Sequence, residues 1–556
     1  MATRGKLVVG EPYFTPGVPL VLDRKTLRGA ERGDLAVVAT GRGRAKVERV
    51  VGRADRIEAV LEGLLVESGA RAGFEPYEPP EPSTEGRVDL RELTTFTIDP
   101  DTAKDFDDAI SVAREGDGLR VWVHIADVAA FIPAGSPLDH GASQRGFSTY
   151  VPGLVAPMLP PELSDDLCSL RPQVERLCVT VEFPPSGSPS FYRSTIRSDA
   201  RLTYGQAQRR DVPPEVADEL ELARGYSDEL RRRRFARGAL RVESPEIEFE
   251  FDGRGGIARA WRQGEPEAHA LVEELMIIAN EAVAGLLAGR RREALYRVHE
   301  RPDPHAVELL LAKLADLDVP TPPAPEQLSP AAAAGVAAEA SELVSTYVEQ
   351  SGRGREAFPA LVLRALKQAR YDPRNLGHAG LASPAYCHFT SPIRRYPDLI
   401  CHRALLGELG LDDEPLPEDL AALAEHTSAR EREAAATEYQ ADEICLAWLL
   451  EAQLFDRGWE EPWSGEIIGV IPSGLFVRFG EVFEGYVPAR RMSGDYFELN
   501  DLGTALAGRR GGGVYRLGDS IDVLVHEIRR WEGKIELSLD GGPVGSRTDK
   551  ALRSGR

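Results

Sequence analysis

The chain has 556 residues, of which 42% are hydrophobic and 28% charged, and its formal net charge is −22. This composition is typical of a soluble globular protein, and the length allows about three to four domains. The sequence contains no run of about 18 uncharged apolar residues, which excludes a membrane-spanning helix, and we expect neither a signal peptide nor a membrane partner.

Cysteine usage and charge distribution restrict the classes of function. Five cysteines are scattered without a Cys-x-x-Cys motif, which favours reduced thiols and a cytoplasmic protein. The pairs Cys387-His388 and Cys401-His402 resemble zinc ligands only weakly, because their spacing fits no standard motif. The negative net charge argues against a polyanionic partner unless that partner binds in a locally basic channel. Residues 1–60 are basic, with twelve Lys or Arg against seven Asp or Glu.

Residues 1–86 predict a small N-terminal domain and a linker. Short strands separated by Gly and Pro are predicted at 6–9, 19–22, 35–40 and 45–51, and apolar residues recur at helical spacing within 54–68. This β-plus-helix pattern leaves a winged helix open as an alternative. Residues 75–86, EPYEPPEPSTEG, have the composition of a linker.

The ten residues from Asp99 to Asp108 contain five aspartates and one lysine. A strand-like run precedes them at 93–98, and residues 109–127 predict a hairpin with a Gly-Asp-Gly turn, so we expect the aspartates at the mouth of a sheet. Clustered carboxylates stay ionised only beside a countercharge, and a hard divalent cation is the natural match. The alternative is a solvated acidic loop. An EF-hand loop is excluded, because Lys104 stands where a glycine is required.

The rest of the chain predicts a large α/β region and then a barrel. Long helices are predicted at 214–237, 267–289, 303–316, 334–350 and 417–456, and residues 318–334 predict a loop leading into a helix. Five short strands, at 466–471, 475–479, 484–487, 520–528 and 534–539, predict a small closed barrel of the OB type. The predicted fold class is therefore multidomain α/β with a mixed central domain (87–458), a C-terminal β-barrel (459–545) and a basic tail (546–556).

Four ordered blocks resemble the signature of the ribonuclease II (RNB) family of 3′→5′ exoribonucleases. They are Ile98–Ala109, His124–Val128, Ser148–Leu170 and His388–Leu399. The resemblance covers about residues 87–455, and residues 462–540 are similar to the S1-type OB domain that ends such enzymes. The paired N-terminal cold-shock domains that are usual in the family are not evident in residues 1–86.

The resemblance implies a two-metal site for phosphodiester hydrolysis. Its metal ligands would be four aspartates: Asp99, Asp105, Asp107 and Asp108. They would hold two Mg²⁺ ions, with Mn²⁺ as the alternative, and the loss of Asp107 would abolish cleavage. Asp101 would be a bystander.

Further catalytic residues are implied around this cluster. Arg394 would bind the phosphate and stabilise developing charge, with Arg395 as the weaker candidate. Glu273 and Glu438 match family glutamates near the cleavage site, although each also fits a solvated helix face.

Aromatic residues are implied along an RNA path. Tyr150 would stack on the 3′-terminal base, and Tyr204 would line the path unless it is a core residue. In the predicted barrel, Phe476 and Arg478 share one strand face, where they would contact single-stranded bases or, alternatively, pack in the core. Two positions depart from the family: Val242 replaces a second clamp aromatic, and Ala379 replaces another aromatic.

The sequence thus predicts a monomeric, cytoplasmic, metal-dependent exoribonuclease for RNA decay or processing. It would degrade single-stranded RNA processively from the 3′ end to nucleoside 5′-monophosphates. Two alternatives remain: an RNA-binding protein on an inactive nuclease scaffold, and a metal-dependent endonuclease or single-strand DNase. The sequence does not indicate whether duplex RNA is degraded.

Overall fold

The computed structural model describes residues 2–540 except 5–6, 16, 42, 71–72, 242–245, 264–265, 326, 413, 493–494 and 511–512. Val242 and the predicted basic tail lie outside the described residues.

The N-terminal domain is a small β structure followed by one helix. Its elements are β1 (Ala2–Arg4), β2 (Leu7–Gly10), β3 (Leu20–Val21), β4 (Asp34–Ala39), β5 (Lys46–Arg53) and α1 (Ile57–Glu67). A bridge between Leu22 and Ala45 joins the β1–β3 sheet to the β4–β5 hairpin around a core that includes Val47. A winged helix needs a helix-turn-helix, whereas the described part of 1–86 contains one α-helix, so that alternative was wrong.

The central domain is built on a seven-stranded mixed sheet with the order β14-β7-β8-β9-β12-β13-β6. These strands are β6 (Val88–Asp89), β7 (Phe96–Asp99), β8 (Asp108–Glu115), β9 (Gly118–Ala126), β12 (Glu175–Phe183), β13 (Ser190–Arg197) and β14 (Ala200–Thr203). The strand β7 ends at Asp99 and its neighbour β8 begins at Asp108. The aspartate-rich segment therefore leaves the sheet at its end, as predicted.

Helices and short hairpins surround this sheet. The helices are α2 (Pro137–Arg145), α3 (Tyr204–Arg209), α4 (Pro214–Ala236), α5 (Pro266–Arg290), α6 (Pro304–Asp316), α7 (Pro330–Ser351), α8 (Ala357–Arg364), α9 (Tyr396–Glu408) and α10 (Leu420–Arg457). The hairpins are β10 (Thr149–Val151) with β11 (Leu154–Ala156), β15 (Ile247–Phe251) with β16 (Ile257–Arg262), and β17 (Tyr296–Val298) with β18 (Arg370–Asp372). The five predicted long helices are present, and no helix in the described ranges is long and apolar enough to cross a membrane.

The C-terminal strands form a closed five-stranded barrel in the order β19-β20-β21-β26-β25. These strands are β19 (Trp463–Ile471), β20 (Gly474–Phe479), β21 (Phe483–Pro488), β25 (Ser520–Arg529) and β26 (Lys534–Leu539), which confirms the predicted barrel. A three-stranded sheet that the sequence did not indicate is inserted between β21 and β25: β22 (Phe497–Leu499), β23 (Ala505–Gly508) and β24 (Val514–Arg516).

One hydrophobic core joins α1, α10 and the barrel. Leu61 and Leu65 of α1, Leu450 of α10 and Leu537 of the barrel are all fully buried in this cluster. The N-terminal helix is therefore part of the same packed body as the central domain and the barrel. This packing fixes the barrel beside the end of the central sheet, where the aspartates lie.

Candidate active site

A cavity of about 3420 Å³ lies where the end of the central sheet meets α4, α5, α10 and the barrel. Pockets for small ligands typically have volumes of about 300–1,000 Å³, so this cavity suits an extended substrate. Its lining includes all ten predicted site residues of the central domain and, from the barrel, Arg478. The ten are Asp99, Asp105, Asp107, Asp108, Tyr150, Tyr204, Glu273, Arg394, Arg395 and Glu438.

Asp107 is the most deeply buried of the four aspartates. The residue is 3% exposed, and its Oδ1 accepts a hydrogen bond of 2.8 Å from the backbone N–H of Ile393. Its Oδ2 forms an ion pair with Arg394 Nε at 3.4 Å but accepts no hydrogen bond. The contact with Ile393 joins the aspartate-rich segment to the Ser-Pro-Ile-Arg-Arg turn, which is distant in sequence.

Burial and mutual repulsion raise the pKa values of three of these carboxyls. Burial, followed by the charge of Asp108, raises the pKa of Asp99 to about 7. Burial raises the pKa of Asp108 to about 6, although Arg394 and Arg395 oppose the shift. The pKa of Asp107 also lies well above its ordinary value because of burial, which outweighs the lowering effect of Arg394. The cluster therefore lacks sufficient positive charge from the protein itself.

The donor set fits a hard divalent cation. Among the described residues, Asp99 Oδ2 and Asp107 Oδ2 are buried oxygens with no hydrogen-bond partner. In the same ranges, no three His, Cys, Asp or Glu side chains form a preassembled metal-binding group. Ions held here would therefore complete their coordination with water and substrate oxygens, as Mg²⁺ commonly does.

The two neighbouring arginines differ in their partners. Arg395 donates two hydrogen bonds to the buried Asp398, of 2.9 Å to Oδ2 and 2.7 Å to Oδ1, so its guanidinium is held by the protein. Arg394 instead exposes 48% of its side chain, and that surface faces the cavity. A guanidinium facing an enclosed space is available for a phosphate. The structure thus favours Arg394 over Arg395 as the phosphate ligand.

Tyr150 is fixed between the aspartates and α10. Its hydroxyl donates a hydrogen bond of 2.5 Å to Asp105 Oδ2, and Glu438 Oε1 accepts a bond of 2.7 Å from its backbone N–H. Burial raises the pKa of Glu438. These contacts place Glu438 behind the tyrosine, where it orients the β10–β11 hairpin.

Helix α5 lines the cavity with several residues, of which Glu273 and His269 carry polar groups that face it. Glu273 exposes 55% of its side chain there, whereas its neighbour Glu274 is buried and paired with Arg234 at 2.5 Å. One turn earlier, the ring of His269 stacks on that of Tyr204, with centroids 3.6 Å apart. Sequence reasoning missed His269, although its spacing of four residues from Glu273 puts both on one helix face.

The predicted residues of the barrel differ in burial and in whether they line the cavity. Phe479 is 1% exposed in the barrel core, whereas Phe476 and Arg478 are partly exposed on the other face of β20, as alternation predicted. Arg478 lines the cavity and pairs with Glu484 at 3.1 Å. Phe476 does not line the cavity and instead contacts Tyr486, with centroids 5.2 Å apart.

The RNB domain model matches residues 87–409, and the S1 RNA binding domain model matches residues 460–540. The chain belongs to the RNB family of 3′→5′ exoribonucleases. Ribonuclease R of Escherichia coli strain K12 is 34% identical in an alignment that covers 92% of this chain and 67% of that protein. The resemblance seen in the sequence is thereby confirmed.

Two solved structures show the same fold. Mycoplasma genitalium RNase R in complex with ribose methylated single-stranded RNA matches with a TM-score of 0.83 and 25% identity, covering 96% of this chain and 89% of that one. Yeast Ssd1, described as a pseudonuclease, matches with a TM-score of 0.67 and 18% identity over 90% of this chain and 66% of that one. Because a pseudonuclease shares the RNB fold, activity has to be argued from the site residues.

Besides Arg394, Arg395 and Arg478, eight arginines that sequence reasoning did not identify line the cavity of this RNB enzyme. These cavity arginines come from α3, α4, the connection between α4 and β15, β16 and the segment before α8: Arg209, Arg231, Arg232, Arg234, Arg241, Arg259, Arg262 and Arg355. The lining also carries acidic residues, among them Glu438, Asp442, Glu443 and Glu484 on α10 and β21. With twelve Lys or Arg against seventeen Asp or Glu, the lining as a whole is not basic, so the cavity arginines themselves are the candidate phosphate contacts.

The pairs Cys387-His388 and Cys401-His402 do not form a zinc site in the RNB enzyme. The Cys387 thiol donates to the carbonyl of Asn280 and the Cys401 thiol to that of Leu295. His402 Nε2 hydrogen-bonds the carbonyl of Phe389 at 2.9 Å. These side chains are used within the core, and the zinc interpretation is wrong.

Proposed function

We propose that the protein is an active, processive exoribonuclease that hydrolyses single-stranded RNA from its 3′ end to nucleoside 5′-monophosphates, as a cytoplasmic monomer. The observation that carries this proposal is the set of orphaned, buried carboxylate oxygens at Asp99 and Asp107 beside a guanidinium, Arg394, that faces the cavity. A catalytically inactive scaffold would have no reason to keep unsatisfied carboxylates in its interior, because they cost stability.

Asp99, Asp105, Asp107 and Asp108 would hold the metal, for which we propose two Mg²⁺ ions, or Mn²⁺. When bound, such ions supply a nucleophilic hydroxide and stabilise charge on the phosphate. The protein residues have separate tasks. Asp107 is held by the Ile393 N–H, which keeps its second oxygen directed away from the backbone. Arg394 stabilises the charge that develops on the phosphate oxygens.

The RNA strand would be held by stacking and by arginines. Tyr150, fixed through Asp105 and Glu438, offers its ring to the last base without reading its identity. Arginines of the cavity lining bind phosphates further along the strand. Glu273, which is exposed in the cavity, is positioned to contact sugar hydroxyls or water, and the Tyr204–His269 stack extends the aromatic surface.

The test uses a 5′-labelled oligoribonucleotide and the full chain. Wild type with Mg²⁺ is expected to shorten the label progressively from the 3′ end to a short limit product. The variant Asp107→Asn, and wild type with EDTA, should show no shortening while still binding RNA in a gel-shift assay. Shortening that persists in both cases would overturn the two-metal proposal.

The same preparations separate the alternatives. An RNA-binding protein on an inactive scaffold would shift the RNA without any shortening by wild type. A circular RNA has no 3′ end, so its cleavage would indicate an endonuclease. Degradation of the matching DNA strand at a comparable rate would indicate a single-strand DNase. Because the metal-ligand set is complete and Arg394 is available, we expect none of these three results.

A further inference from the structure

His388 lies in the same cavity, and the proposed chemistry does not use it. It precedes the turn that carries Arg394, and it lines the cavity together with Tyr386 and Asn280. The residue is partly exposed, and that exposure is to the cavity.

The imidazole of His388 is held in one orientation. Its Nδ1 hydrogen-bonds the hydroxyl of Tyr371 at 2.7 Å. The rings of Tyr371 and Tyr386 meet it edge to face, with centroids 5.6 Å and 5.9 Å away. Tyr386 is itself fixed, because Asn280 Nδ2 donates to its hydroxyl at 3.1 Å. Within the described ranges, Nε2 of His388 has no hydrogen-bond partner, so one polar atom of a rigid ring is left to face the cavity.

The surroundings of His388 favour the neutral imidazole. Burial, helped by the positive charges of Arg395 and Arg297, lowers its pKa well below the ordinary value. A neutral ring with one free nitrogen is a weak phosphate ligand beside the guanidinium of Arg394. It matches a group that can both donate and accept, because either tautomer of the ring then finds a partner. The ribose 2′-hydroxyl is such a group, and it distinguishes RNA from DNA.

The location suits a sugar near the cleavage site. Asn280 follows Glu273 by seven residues on α5, which is about 10 Å along the helix axis, and both line the cavity. His388 therefore lies close enough to meet one of the last few nucleotides of an enclosed strand. Tyr150 is assigned to the base, Arg394 to the phosphate and Glu273 to sugar hydroxyls or water. One or more 2′-hydroxyls along the strand therefore still lack an assigned partner.

We propose that His388 is a specificity-determining residue whose Nε2 hydrogen-bonds the 2′-hydroxyl of one nucleotide near the 3′ end. This inference rests on the proposed exoribonuclease function, which it refines by assigning one source of the preference for RNA over DNA. Tyr371 is the positioning residue that fixes the ring.

The test is a double-mutant cycle in which one change is His388→Ala in the protein and the other is the removal of one 2′-hydroxyl from the RNA. The two changes are made separately and together. The substrates are one 5′-labelled oligoribonucleotide and a set in which a single 2′-deoxynucleotide occupies each successive position from the 3′ end. Wild type is expected to be slowed about three- to tenfold when the deoxy sugar occupies one particular position, the usual effect of one hydrogen bond. The variant His388→Ala should be slowed by a similar factor on all-RNA, and the deoxy sugar at that position should cost it nothing further. At all other positions its deoxy penalties should equal those of wild type.

Three controls keep the outcome interpretable. His388→Gln, which can still offer an amide at a similar reach, should recover part of the sugar sensitivity. Tyr371→Phe, which frees the ring, should reduce that sensitivity without removing it. His305→Ala, a histidine at the surface with 86% of its side chain exposed, should behave as wild type.

The cycle separates this inference from the proposed function. Equal deoxy penalties for wild type and His388→Ala at every position would overturn the assignment of His388, even if RNA is degraded. If wild type degrades no RNA, the proposed function fails. The same substrates can then be compared by binding affinity in EDTA, where loss of the position-specific penalty in His388→Ala would still support the contact and its persistence would refute it.

Discussion

At the residue scale, the protonation of the aspartate cluster and its binding of metal ions are coupled. Asp99 and Asp108 have pKa values raised to about 7 and about 6 by burial. Protons therefore compete with the metal below neutral pH, because metal ligands must be deprotonated. We predict that a higher Mg²⁺ concentration is needed for half-maximal RNA degradation at about pH 6 than at about pH 7. The increase should be about tenfold for each proton that the metal must displace from the carboxyls. Titrating Mg²⁺ at several pH values measures this, and a requirement independent of pH would contradict it.

The same shifts predict a stability effect with the opposite sign to that of an ordinary salt-bridged aspartate. Because the folded-state pKa values lie above those of the unfolded chain, the folded protein binds more protons between about pH 4 and pH 7. In EDTA, the free energy of unfolding should therefore fall as pH rises through this range. Thermal melting in EDTA from pH 5 to pH 8 measures the decrease, which Asp99→Asn should reduce because that variant cannot ionise. Added Mg²⁺ should largely restore the melting temperature at pH 8.

Tyr150 combines two interactions that substitutions can separate. Tyr150→Phe removes the hydroxyl that bonds Asp105 and keeps the ring, whereas Tyr150→Ala removes both. Because stacking contributes about 1–3 kcal/mol per base, we predict that Ala weakens RNA binding about five- to 150-fold and leaves longer limit products. Phe should weaken binding by less than Ala. Affinity for RNA in EDTA, followed by gel analysis of end products with Mg²⁺, tests both statements, and equal effects of the two variants would contradict the stacking role.

At the scale of elements, regular patterns were predicted well and long-range neighbours were not. The long helices and the five barrel strands follow from periodicity and Gly turns, which are local properties of the sequence. The inserted β22–β24 sheet was missed because its strands are three or four residues long, too short for a periodic signal. The packing partners of α1 were also not predictable. The apolar face of a helix indicates that the helix is buried, but not which elements it packs against.

The packing of α1 leads to a prediction for that element. Leu61 is fully buried in the core that α1 shares with α10 and the barrel. Truncation of such a leucine costs about 2–5 kcal/mol, so we predict that Leu61→Ala lowers the main thermal transition of the whole protein. The exposed neighbour Glu58 provides a control, because Glu58→Ala should change stability by no more than about 0.5 kcal/mol. A small separate early transition, with the main one unchanged, would show instead that the N-terminal domain unfolds by itself.

At the scale of the whole molecule, the residues of the site could be predicted from the sequence, but the cavity that encloses them could not. The aspartates, Arg394 and Tyr150 were found from four motif blocks, and the structure brings them to one cavity. The cavity arginines come from α3, α4, the α4–β15 connection, β16 and the segment before α8, and their positions along the chain span residues 209 to 355. No local signal connects such residues, because only the fold makes them neighbours. The same limit applies to His388, whose role depends on Tyr371 and Tyr386 around it.

The cavity arginines give a quantitative prediction for a protein whose net charge is −22. Binding of single-stranded nucleic acid weakens with salt in proportion to the number of phosphates neutralised, with a slope in log–log form of about −0.7 per phosphate. Arg355 is exposed at the cavity wall, so Arg355→Ala should make that slope shallower by about 0.7. Arg254, exposed at the β15–β16 turn and absent from the lining, is the matched control whose replacement by alanine should leave the slope unchanged.

The measurement is the affinity of wild type, Arg355→Ala and Arg254→Ala for single-stranded RNA in EDTA over a range of KCl concentrations. Identical slopes for wild type and both variants would mean that no phosphate of the bound strand contacts Arg355.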